Sequence, residues 1–210
     1  MMMKKVVLTI LLCSVSFVMV GSLATQTVGA VEESNNSVVS DYVTKEDGTI
    51  ELVVPEDEVE QDLQKQVEDY ISSKTGLTRS PTWVNLTQKV IETKYPVASG
   101  YAGNQPTKGT KFPSGGGFYW SSGGGPNVSV SAGFAGISVS TNLGKSGTSG
   151  NFVNAPNKTQ YFKLHVSEKY KVQKVAVYGA PYTNPNGPKQ FLYYTYPKTL
   201  YSRTLSAKAQ

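Results

Sequence analysis

The alternation of apolar and polar positions sets the first expectations. Beyond residue 80, short runs rich in Val, Ile, Tyr, Phe and Thr are punctuated by clusters of Gly, Pro and Asn, as strands are by turns. The runs cover residues 83–95, 117–121, 127–132, 136–142, 160–167, 170–178, 190–196 and 199–205. Several carry the two-residue period of a half-buried strand. Val128, Val130 and Ala132 alternate with Ser129 and Ser131, and Ile137 and Val139 with Ser138 and Ser140. Phe162, Leu164 and Val166 alternate with Tyr161, Lys163 and His165. About eight such strands predict a mainly β domain over residues 80–210, an antiparallel β-sandwich or barrel. A turn between Ser167 and Lys169 is expected to separate two of them.

A different period precedes the strands. Val59, Leu63, Val67, Tyr70 and Ile71 recur at helical spacing, and Pro55 suits a first helical position. Glu56, Asp57 and Glu58 complement the positive end of the helix dipole, Lys74 complements the negative end, and Gly76 follows as a terminator. The pattern predicts a helix over 55–75. Before it, residues 37–43 and 49–54 flank Glu46-Asp47-Gly48, which reads as a hairpin. Residues 31–79 thus form an acidic hairpin-plus-helix segment.

The N-terminus reads as an export signal. Lys4 and Lys5 precede an apolar run from Val6 to Val20, and Val28-Gly29-Ala30 has the small-x-small form of a cleavage site. Residues 1–30 are therefore expected to be a signal peptide cut after Ala30, which makes the protein secreted and extracellular. Cys13, the single cysteine, lies inside that segment, so no disulfide would brace the exported chain and stability would rest on core burial. Cysteine-free export of this kind is common among Gram-positive bacteria.

Charge sharpens the division. Residues 31–75 hold thirteen acids and three lysines, whereas residues 76–210 hold fifteen Lys plus Arg and only Glu92 and Glu168 as acids. Opposite charges on two parts of one chain predict an intramolecular contact between the acidic arm and the basic domain. Residues 76–80 join the two, and Arg79 is a candidate processing site, which would make the acidic segment a removable pro-segment. The other reading is a permanent charged layer on the strands.

Candidate chemistry is sparse. His165 is the sole histidine, and on a continuous strand Glu168, three residues on, would face away from it. Nothing brings Glu92 and Glu168 together as a glycosidase pair, and neither zinc nor calcium ligand spacing is present. Gly144-Lys145-Ser146 lacks the earlier glycine of a phosphate loop, since Val139 stands in its place. No catalytic residue, metal or cofactor is predicted.

What remains is contact chemistry. Lys163, Lys169, Lys171 and Lys174 lie among Tyr161, Tyr170 and Tyr193, a mixture that suits an anionic polymer or lipid surface. These seven are the candidate binding residues, and no specific nucleic-acid partner is indicated. Lysine and tyrosine also serve ordinary strand roles, as edge protection and strand formers. The expected function is a secreted, non-enzymatic protein that binds an anionic cell-envelope surface or polymer. The alternatives are a cationic bacteriocin or toxin masked by its acidic segment, and a hydrolase using His165.

Overall fold

The computed structural model describes residues 42–75 and 82–210. The expected signal peptide, Ala30 and Arg79 lie outside the described residues. Within them the chain is mainly β, with antiparallel sheets and one helix.

The hairpin pairs β1 (Tyr42–Thr44) with β2 (Ile50–Val53). Asp47 closes its turn by accepting a hydrogen bond from the Thr49 amide at 2.9 Å, and Gly48 supplies the positive φ that the turn requires. α1 spans Glu56–Thr75, with acids in its first turn and Lys74 in its last. It buries Val59, Leu63 and Val67, one residue per turn along one stripe. At about 1.5–3 kcal/mol for each fully buried side chain, that stripe outweighs any intrinsic helix preference.

The main sheet is organised around β11 (Tyr161–Pro181), a single strand of 21 residues. No turn falls between Ser167 and Lys169: the two expected strands are one. The charges of Glu168 and Lys169 suggest a surface corner, but Glu168 is taken up by a buried ion pair inside the sheet. Along one edge of β11 lie β3 (Trp83–Lys94) and β4 (Val97–Tyr101), with β5 (Thr110–Lys111) beyond them. Along the other edge lie β12 (Gln190–Thr195) and β13 (Lys198–Ala209), and β2 adds to the outside of β13.

Each edge is interrupted at the same level. Tyr95-Pro96 separates β3 from β4, and Tyr196-Pro197 separates β12 from β13. A proline offers no amide hydrogen to a ladder, yet its carbonyl still serves. Pro96 accepts from the Tyr170 amide at 2.9 Å and Pro197 from the Gln173 amide at 3.1 Å. The middle of β11 is thus the point where both neighbours break and resume in register.

The remaining strands form two small antiparallel sheets. One has the order β10 (Asn151–Asn154), β6 (Gly117–Ser121), β9 (Lys145–Gly147); the other is the hairpin of β7 (Asn127–Ser131) and β8 (Ser138–Asn142). Both cover the face of the main sheet that carries Phe162, Leu164, Val166 and Val172. Phe118, Trp120, Leu143 and Val153 pack there with Ile50 and Leu205. Ala132, Phe134 and Val139 pack on Val172. The sheets stay open and no barrel closes, because β1 and β3 end the pairing without meeting. The barrel alternative is therefore corrected.

α1 lies on the opposite face, over the far half of β11, where Lys171 and Gln173 reach its carboxylates. The main sheet is consequently covered diagonally, by small sheets on one face at one end and by α1 on the other face at the other end. Among the described residues two half-faces stay bare.

Candidate functional site

The first bare half-face is built from the outward positions of β11, namely Tyr161, Lys163, His165, Ser167 and Lys169, which alternate with the buried Phe162, Leu164, Val166 and Glu168. Register places Tyr101 and Ser206 beside His165, Lys208 beside Lys163, and Lys111 beside Tyr161. The side chains interlock. Lys163 Nζ lies 5.4 Å from the ring centre of Tyr101, and Tyr101 meets His165 edge to face at 5.6 Å. Lys208 Nζ is 3.2 Å from His165 Nε2. Lys169 Nζ sits over both Tyr95 and Tyr201, at 5.0 and 5.2 Å, and those two rings pack edge to face.

No acidic side chain occupies β4, β13 or an outward position in this half of β11. Glu51, at the margin on β2, is engaged by Lys45 at 2.6 Å. The half-face therefore presents uncompensated positive charge beside tyrosine rings, whose faces orient ammonium groups by cation–π attraction. Burial and the neighbouring Lys208 ammonium hold the His165 imidazole below its usual pKa, so near neutrality it is uncharged. Its ring and Glu168 point to opposite faces of one strand, and they share no proton.

Only three of the seven expected binding residues, Tyr161, Lys163 and Lys169, come together here. Lys171 is 6% exposed and paired with Glu56 and with Glu60 at 2.5 Å. Burial pulls its pKa down, but the two carboxylates more than offset this and raise it. Lys174 projects from the opposite face, its ammonium 4.1 Å from the Tyr194 ring centre. Tyr178, Phe191 and Tyr194 form a file there, on the second bare half-face. Glu92 stands opposite Lys174 in register, so charge on that side is mixed. Tyr193 packs on Tyr70 of α1 at 5.7 Å.

Tyr170 belongs to the interior. Its hydroxyl donates to Glu168 Oε2 at 2.8 Å, Thr141 Oγ1 donates to the same oxygen, and Arg203 Nε donates to Oε1 at 2.6 Å. Arg203 also reaches Tyr42 Oη at 3.0 Å and lies over Trp120. Burial, with the Glu168 carboxylate beside it, pushes the Tyr170 phenol up to about 12. Burial lowers the Arg203 pKa, but Tyr42 and Glu168 outweigh it and raise the value. No buried side-chain nitrogen or oxygen among the described residues lacks a partner. The network is a satisfied structural knot joining β1, β8, β11 and β13.

Tyr95, Tyr101, Tyr201 and Lys208 complete the outward half-face and come from neighbouring strands, where sequence proximity to Lys163 gives no hint. The two-residue period of β13 places Lys208, Ser206 and Thr204 on one side and could have found them. Among the described residues no group of His, Asp and Glu side chains stands ready to hold a metal ion, and no helix is long and apolar enough to cross a membrane. The chain matches no family model, no curated protein and no solved structure.

Proposed function

We propose that this is a secreted, non-enzymatic protein that binds an anionic surface of a cell envelope through the outward half-face of its main sheet. The observation that carries the reading is the convergence of Lys163, Lys169 and Lys208 with Tyr95, Tyr101, Tyr161 and Tyr201 on a stretch of sheet that no other described element covers, with Glu51 at its margin already paired to Lys45. The ligand chemistry is a run of phosphate or carboxylate groups, as carried by a wall polymer or by anionic lipid headgroups. Tyrosine rings supply flat apolar contact beside the charges.

Masking by the acidic segment has less support. The α1 carboxylates engage Lys171 and Gln173, and the described part of the acidic segment leaves the outward half-face open. A hydrolytic role for His165 has less support too, since its neighbours are Lys208 and Tyr101 rather than a carboxylate.

Co-sedimentation with purified envelopes, with isolated wall polymer and with phosphatidylglycerol vesicles tests the reading and separates the two ligand sources. Binding should fall at least tenfold for Lys163→Glu/Lys169→Glu/Lys208→Glu, and fall steeply with added salt as screening takes hold. Undiminished binding by the triple variant, or no binding to any of the three, overturns it.

A further inference from the structure

The hairpin of β7 and β8 stands apart from every other strand pair. From Phe112 to Gly144 the chain has 33 consecutive residues without Asp, Glu, Lys, Arg or His, although charged residues make up 17% of the whole. The three longest strands, β3, β11 and β13, carry lysines on outward positions; the outward positions of this hairpin carry only Ser and Asn. Register puts Val128, Val130 and Ala132 with Thr141, Val139 and Ile137 on one side, and Asn127, Ser129 and Ser131 with Asn142, Ser140 and Ser138 on the other. The tip, Gly133 to Gly136, holds Phe134 and Ala135 and nothing charged.

The hairpin also forms a two-stranded sheet of its own, without ladder pairing to any other strand. Its attachment is by side chains. Val139, Ala132 and Phe134 pack on Val172 and Tyr196, and Thr141 is bound to Glu168. Lys94 and Lys198 cap the Gly133 and Ser138 carbonyls at 2.6 and 3.0 Å. At its base, Gly123 and Gly124 precede it and Gly144 follows it, all at positive φ. There the Gly144 carbonyl accepts from the Gly103 amide at 2.8 Å and the Leu143 carbonyl from the Trp120 indole at 3.0 Å, so departure breaks these two bonds but no ladder between strands.

We infer that β7–β8 is a membrane-inserting hairpin, which on an anionic bilayer detaches from the main sheet and pairs with the hairpins of other copies to line a pore. Ordinary half-buried strands also alternate, but they do not need a charge-free polar face. For a strand crossing a bilayer such a face lowers the cost of insertion, because a charge passing through hydrocarbon is expensive. Continued in register, residues 125–132 and 137–144 give arms of eight residues each, and the uncharged tip carries the hairpin towards the roughly 9–11 residues that a tilted strand needs to span a membrane. An isolated hairpin would leave two open edges in lipid, so closure requires several copies, about four for the smallest eight-stranded barrel. In that state the Val, Ala and Ile side faces lipid, and the Ser and Asn side faces water.

This inference rests on the lipid arm of the proposed surface binding, and the test separates the two. With Cys13 replaced by Ser, single cysteines at 128, 129, 130, 131, 137, 138 and 139 carry an environment-sensitive fluorophore, with near-UV circular dichroism confirming the fold of each. On phosphatidylglycerol vesicles, emission should rise at 128, 130, 137 and 139 and stay low at 129, 131 and 138. The unlabelled protein should release an entrapped dye from the same vesicles. Sedimentation with the vesicles but no alternation, or no dye release, overturns insertion and leaves surface binding intact. Failure to sediment with the vesicles overturns insertion as well; binding retained on wall polymer would then keep the surface reading.

Discussion

Glu168 illustrates how one side chain can mislead a reading of sequence. A charged residue in mid-strand suggests a turn, and here it is fully buried, bound by Arg203, Tyr170 and Thr141. Tyr170 is two residues on and shares its face, but Thr141 and Arg203 lie 27 and 35 residues away along the chain, so neither spacing nor alternation could have named those two. Removing one member of a buried pair strands the other, at about 3–5 kcal/mol. Glu168→Ala is therefore expected to lower unfolding stability by that amount in urea titrations, with Glu168→Gln losing less. A change below ~1 kcal/mol would show that Arg203 reaches water instead.

His165 makes a second prediction at this scale. Its pKa in the fold lies below the ordinary value of 6.5, so between those two values the unfolded chain binds more protons than the folded one. Its contribution to stability is complete above about 6.5 and is lost as pH falls through that window. Lys208→Met should move the imidazole titration upward, as followed by NMR, because it removes the repelling ammonium. Anion binding at the half-face should strengthen as the ring becomes charged, an increment that His165→Gln abolishes.

At the scale of elements, the helix was fully legible: its stripe, acidic first turn and Lys74 all act locally. The strand runs were legible where residues alternate, as in β7, β8 and the first half of β11. They failed in β4, β9 and β10, whose Ser, Gly and Asn content gives no two-residue period, and in β5, which is only two residues long; the pairing of all four is decided by distant neighbours. The seat of α1 yields a contrast between variants. Glu56→Gln/Glu60→Gln leaves the Lys171 ammonium buried without a carboxylate and should cost about 2 kcal/mol or more. Lys171→Met keeps the packing, removes the charge and should cost less than ~1 kcal/mol. Equal losses in thermal unfolding would show that packing alone seats the helix.

Gly144 is the element-level weak point of the small sheets. It has a φ of +69°, and a Cβ there would stand 2.4 Å from the Ser121 carbonyl oxygen. It would also crowd Trp120, whose indole donates to the Leu143 carbonyl at 3.0 Å. Gly144→Ala should destabilise by at least ~1–3 kcal/mol, from the strained backbone alone, and a neutral result would require the turn to rebuild.

The whole molecule shows why charge totals were only partly informative. The arithmetic of an acidic arm and a basic domain anticipates attraction, and among the described residues the carboxylates that reach across from α1 meet Lys171 and Gln173. Which lysines remain unpaired depends on the diagonal cover of the main sheet, a property of three-dimensional layering with no counterpart in a linear count. Lys174 parts from Lys163 and Lys169 for a simpler reason: in one continuous strand even and odd positions point to opposite faces, which the expected turn at 167–169 concealed.

The position of β11 along the chain has a consequence for synthesis. The strand with which β3, β4, β5, β12 and β13 all pair begins at residue 161, and β2 closes only on β13, near the last residue. A nascent chain that has reached residue 160 has closed only the β1–β2 hairpin of the main sheet, while β2, β3, β4 and β5 still wait for partners and the β11 ladders to β12 and β13 have neither strand. Folding must wait for the final quarter of translation, and such long-range pairing then proceeds on the slow, millisecond-to-second side of the single-domain range. A chain whose main sheet cannot close early stays threadable, the state that passage through a translocation channel would require if the protein is exported as proposed.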